Sequence, residues 1–116
     1  MKLSELITRV KTEKPNAFSN DALVAYVNQI EAEVAEQMDA TFTPYDYAAD
    51  AEEDLLAPPP YDRLYISYLK GQIDMANDEL DSYENYAAQH TADFRDFTDW
   101  TVRYFGGKVN RFVNAF

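Results

Sequence analysis

The sequence predicts an all-α fold: a small helical bundle with a long aromatic and acidic loop and an extended C-terminal tail. Three observations lead there. Apolar residues recur at helical spacing in two segments before residue 39 and in a longer one after residue 60. The prolines fall between those segments, at Pro15, Pro44 and Pro58-Pro59-Pro60. With 116 residues, 47% of them apolar and 27% charged, the chain has the size and composition of one soluble domain with one core.

The first helix is carried by Leu3, Leu6, Ile7 and Val10 at i, i+3, i+4, i+7, with Ser4 or Glu5 in its opening turn, and Pro15-Asn16 ends it. A second helix opens at Ser19 or Asn20, whose side chains accept orphan backbone donors, with Asp21 favourable to the dipole. Its apolar positions are Leu23, Val27, Ile30, Val34 and Met38. Glu31, Glu33 and Glu36 fall between them and are expected to face water. Residues 39–60 break the pattern. Pro44 and the triple proline forbid continuous helix there, and Thr41-Phe42-Thr43 has the composition of a short strand. A connection this long in a small domain is functional or disordered, and Phe42, Tyr45 and Tyr47 argue against disorder. The expected role is a docking loop; the alternative is a loop folded onto its own core.

From Tyr61 onward Ile66, Leu69, Ile73, Ala76, Leu80, Tyr83, Ala87, His90, Phe94 and Phe97 recur at alternating spacings of three and four, a helical seam that continues to Thr101 and Tyr104. One unbroken helix over 61–105 would be about 67 Å long, too long for a bundle of this size. A break is therefore expected at Asn77-Asp78, with Asn85 second, because Asn and Asp favour caps and turns. The domain reading is 1–105 helical, including the loop 39–60, followed by a basic apolar tail over 106–116. In that tail Gly106-Gly107 forms a joint, and Val109, Phe112, Val113 and Phe116 share a face with Lys108 and Arg111 nearby. A nine-residue helix is marginal alone, so the tail must pack on its own core or on a neighbour.

Charge is unevenly placed. The net charge of −11 divides into +2 over residues 1–18, −16 over 19–99 and +3 over 100–116, where Arg103, Lys108 and Arg111 stand without an acid. An acidic body with basic ends argues against gripping the outside of duplex DNA, which needs a basic face. It suits solubility, and it equally suits basic ends of one copy meeting the acidic body of the next.

The chemistry-bearing signatures are missing. There is no cysteine, which removes thiol catalysis, thiolate zinc sites and disulfides, and the single histidine excludes a cage of imidazoles. The acidic stretch Asp46–Asp54 lacks the ladder and glycine of a calcium loop, and His90 lacks the glutamate three residues before it that a di-iron bundle uses. No phosphate-binding glycine motif occurs, and no carboxylate pair stands out as an acid–base dyad. The expectation is a protein that is not an enzyme and uses no cofactor or metal. No apolar run is long enough for a membrane anchor, and the first residues do not read as a signal peptide.

Aromatic residues reach 15%, with nine Tyr and seven Phe. Tyr61, Tyr65, Tyr68, Tyr83 and Tyr86 exceed what a small core is expected to bury with every hydroxyl paired, so they point to an interface. The expected partner contacts are Phe42, Tyr45, Tyr47, Tyr61, Arg63, Tyr65 and Tyr68 in the body, and Val109, Arg111, Phe112, Val113 and Phe116 in the tail.

The run over residues 55–74, LLAPPPYDRLYISYLKGQID, resembles the head–tail connector proteins of tailed bacteriophages, also called adaptor or head-completion proteins. The start is also similar, with a short first helix followed by NDALVAYVNQIEAEV at 20–34. The resemblance extends over about the first 90 residues, and its most specific part is PYDRLY-x-x-YLK-x-QID. It departs at Asp78, where family members often carry glycine after the equivalent of Asn77. The resemblance implies a small all-α bundle assembled as a ring of about twelve copies beneath the portal. The ring would extend the DNA channel and offer a platform to the next neck or tail-completion protein. It further implies a virion location in the neck, reached by assembly in the host cytoplasm. DNA would then pass without specific binding, and an acidic wall would repel phosphate so that it slides. Asp74, Asp78 and Asp81, which lie off the apolar seam, are the expected channel acids. A ring requires two unlike faces on each copy, and the charge division supplies them.

A different class also fits the composition. A small acidic protein can act as a DNA mimic, with ordered carboxylates occupying a DNA-binding enzyme. That reading wants a monomer or dimer and has no use for a basic apolar tail.

Overall fold

The first two helices begin where a side chain or a loop satisfies open backbone donors. A computed structural model describes residues 1–104; the tail at 106–116, with Val109, Arg111, Phe112, Val113 and Phe116, lies outside the described residues. Helix α1 (Leu3–Glu13) buries Leu3, Leu6, Ile7 and Val10, the four positions of its expected face. Its first turn is closed by Glu5, which accepts the Lys2 amide at 3.1 Å. The amides of Leu3 and Ser4 are taken up by the carbonyls of Glu53 and Ala51 at 3.0 and 2.8 Å. Helix α2 (Asn20–Gln37) is capped by the Ser19 hydroxyl, which accepts the Ala22 amide. It buries Leu23, Val24, Val27, Ile30, Val34 and Ala35.

The long apolar seam is broken where expected. Helix α4 (Arg63–Ala76) ends and α5 (Leu80–Tyr104) begins across Asn77, Asp78 and Glu79, whereas Asn85 lies inside α5. The stop is a Schellman motif: the Glu79 amide returns to the Asp74 carbonyl at 2.9 Å and the Asp78 amide to Met75 at 3.3 Å. Asp78 adopts the left-handed conformation, with φ 56°. It occupies the position that glycine favours and supplies the same turn with an aspartate. The same motif ends α2, where Asp39 has φ 54° and the Ala40 amide reaches the Ala35 carbonyl.

After this turn α5 runs back along α4. Phe97 and Thr101 are buried, and Phe94 packs at the edge of the core. Because the seam doubles back, its middle members are left at the tip of the hairpin, where Ala76 and Leu80 are exposed.

Residues 39–60 depart from two expectations. Thr41-Phe42-Thr43 forms no strand, and a four-residue helix α3 (Tyr47–Asp50) stands instead. The loop is folded onto its own core, the alternative to a docking loop. Leu55 and Ala57 are buried, the Leu55 amide bonds to the Met1 carbonyl at 2.9 Å, and Asn28 holds both backbone groups of Tyr45. Five backbone hydrogen bonds to the start of α1 and to Asn28 secure a segment whose composition alone reads as open loop.

Candidate functional site

At the centre of the molecule lies a carboxylate. Glu31, expected in water, is fully buried on α2. It accepts the Tyr65 hydroxyl at 2.5 Å, the Tyr45 hydroxyl at 2.7 Å and the Leu56 amide at 3.0 Å. Tyr65 in turn accepts the Ala57 amide at 2.9 Å. Burial, reinforced by the Glu31 carboxylate, pushes both tyrosine hydroxyls well above the usual phenol range, so they remain donors. The helical period held a signal for this site. Val24, Val27, Val34 and Ala35 bracket Glu31 at i−7, i−4, i+3 and i+4, which puts it on the buried face.

This cluster corrects one expected partner contact. Tyr65 is completely enclosed, so it acts within the fold, whereas Tyr45 is half-buried with its hydroxyl paired. Glu31 accepts both hydroxyls, so neither buried donor is left unpaired. Tyr68 is half-buried, donates to Gln29 at 3.0 Å and packs on the His90 ring. Tyr61 stacks on Trp100 with ring centroids 5.2 Å apart. Phe42 sets its edge against Tyr45, and Tyr47 opens α3 against the core. Of the body residues expected at an interface, Phe42, Tyr45, Tyr47, Tyr61, Arg63 and Tyr68 keep part of their surface in water.

Arg63 binds inside the chain as well. It pairs with Asp93 at 3.2 Å and Asp96 at 2.5 Å, joining the start of α4 to the middle of α5. Asp93 is almost fully buried and is completed by Ser67 at 3.0 Å and Gln89 at 2.9 Å. Close by, His90 directs Nδ1 at the Leu64 carbonyl at 2.9 Å, and burial lowers its pKa. Its place is the α4–α5 interface, among Tyr68 and Phe94.

The three expected channel acids separate. Asp74 is fully buried and pairs with Lys14 at 2.6 Å, so it belongs to the packing of α1 against the α4–α5 turn and not to an exposed wall. Its place on α4 beside Ile73 turns it inward, where Lys14 supplies the compensating charge. Asp78 and Asp81 are exposed beside that turn. With Glu79, Leu80 and Ser82 they line a shallow concavity at the start of α5. Met75 and Leu80 keep 43% and 54% of their surface in water there. Only Tyr104, at the far end of α5, joins them as an exposed large apolar side chain among the described residues.

Fold and surfaces thus define an all-α protein of one antiparallel hairpin braced by two further helices, with an acid-rimmed apolar tip. No protein-family model matches the chain, and no curated protein or solved structure matches it. Among the described residues no helix is long and apolar enough to cross a membrane.

Proposed function

We propose that this chain is a structural protein of the phage neck, a ring-forming head–tail connector that docks under the portal, extends the DNA channel and joins head to tail. The observation that carries the reading is the resemblance over residues 55–74. Two features of the fold support it. The chain is an all-α bundle, as that family is, and the resembling run enters the centre of it, with Leu55, Ala57, Leu64, Tyr65, Leu69 and Ile73 buried. A run of this kind carries the bundle's architecture; contacts to the portal then belong to exposed surfaces. The unlike ends, an acidic tip and a basic tail, suit the heterologous contacts that close a ring.

The test is assembly with a portal ring of a tailed phage that encodes this chain. Coaxial density below the portal in electron micrographs, together with no affinity of the chain alone for duplex DNA at physiological salt, is the expected result. Failure to join the portal, with inhibition of a DNA-binding enzyme instead, supports the DNA-mimic reading. The burial and pairing of Glu31, Asp74 and Asp93 weigh against that reading, because a mimic needs its carboxylates displayed.

A further inference from the structure

We infer that the tip of the α4–α5 hairpin is the receptor for the basic apolar segment 108–116 of a second copy, so that copies associate head to tail. The tip exposes Met75, Ala76 and Leu80 on the two sides of the turn, and Asp78, Glu79, Asp81 and Glu84 surround them. The nearby cation Lys14 reaches the tip from α1, but its ammonium is taken by Asp74 at 2.6 Å and lies 4.0 Å from Glu79. An apolar surface with an acidic rim is thus left without a partner in the described fold.

The segment 108–116 is its complement. It carries Lys108 and Arg111, no acid, and the apolar residues Val109, Phe112, Val113 and Phe116 at the spacing of one helical face. Desolvated apolar contacts would give affinity, and the opposite charges would give orientation and speed of encounter.

Reach decides between the chain's own tip and another copy's. Leu80 and Tyr104 stand at opposite ends of α5, about 36 Å apart at 1.5 Å per residue. From Tyr104, even a fully extended chain at about 3.6 Å per residue carries Phe112 no further than about 29 Å. Lys108, Val109, Arg111, Phe112 and Val113 therefore fall short of the chain's own tip whatever their conformation. The tip of a neighbouring copy is free of that restraint. Because the tip and the tail are different parts of the chain, the contact is heterologous, and repetition gives a closed ring or an open filament. The inference rests on charge, exposure and reach, and it stands whether or not the assembly meets a portal.

Mixing two variants of the full chain tests it. The tip variant carries Met75→Ser, Leu80→Ser and Asp81→Lys, all at exposed positions; the tail variant carries Arg111→Glu and Phe112→Ser. Circular dichroism first establishes that both retain wild-type helicity. In sedimentation velocity the wild type is expected to form large species that dissociate with salt. Each variant alone is expected to associate at least about tenfold more weakly. An equimolar mixture is expected to give dimers and nothing larger, because one intact tip and one intact tail remain per pair. A wild type that stays monomeric at every concentration, or a tip variant that assembles like the wild type, overturns the inference. Loss of portal docking with self-association intact would count against the connector reading alone.

Discussion

Glu31 and Tyr65, 34 residues apart, meet in the core with carboxylate and hydroxyl oxygens 2.5 Å apart, and the loop between them is hung on that contact. Glu31 also accepts from Tyr45 and Leu56, so one side chain holds α2, α4 and both ends of the intervening loop. A buried carboxylate with three donors is stable as a set and costly to leave half-satisfied. Tyr65→Phe, which deletes one donor to Glu31 and the acceptor for Ala57, is expected to cost about 2 kcal/mol. Glu31→Ala, which strands three donors and opens a void, is expected to cost about 4 kcal/mol. Urea denaturation measures both. A loss below about 0.5 kcal/mol for Glu31→Ala would remove the cluster from its central role.

The Lys14–Asp74 pair sets a pH window. Burial would raise the Asp74 pKa, but Lys14, with Ser82, holds it below the ordinary 3.8. Lys14 is raised above its ordinary 10.5 chiefly by its hydrogen bond to Asp74. The carboxylate's contribution is present above 3.8 and is lost as pH falls through the lower folded value. The lysine's is present below 10.5 and is lost as pH rises through the higher folded value. The stability difference between wild type and Asp74→Asn is therefore expected to be flat between these limits and to shrink below pH 3.8. A difference that stays constant into strong acid would show that the charge on Asp74 is irrelevant.

Gly71 lies inside α4, facing α5, and its φ is not in the left-handed region. A Cβ there would meet the Tyr86 Cβ at 3.5 Å, an ordinary contact. Gly71→Ala is expected to raise stability by about 0.5–1 kcal/mol, since alanine lowers the entropy of the unfolded chain and adds no clash. Thermal and urea melts check this, and destabilisation would mean that α4 and α5 approach more closely than these distances state.

Asp78 holds the hairpin turn at φ 56°. Asp78→Gly is expected to equal or exceed the wild type in stability, whereas Asp78→Val, β-branched in a left-handed position, is expected to lose about 1–2 kcal/mol. The order Gly, Asp, Val in urea midpoints is the readout. Equal midpoints for all three would show that the turn does not depend on this conformation.

Local order was legible in the sequence wherever one element's own period decides the outcome. Leu3, Leu6, Ile7 and Val10 face the core because 3.6-residue periodicity places them together, and Ser19 caps α2 because its hydroxyl lies within reach of the Ala22 amide. The break at Asn77-Asp78 follows from the same short-range logic, combined with a length that no small bundle accommodates. What only the tertiary structure decided depends on partners far apart in the chain. Glu31 and Asp74 read as solvated carboxylates until Tyr45, Tyr65 and Lys14 are brought to them, across separations that no local period encodes. The loop over 39–60 reads as open because its backbone partners, Met1, Leu3, Ser4 and Asn28, lie elsewhere in the sequence. Burial of a charge or a loop becomes favourable only when every polar group finds a mate, and that condition is met by the assembled fold, not by any segment of it.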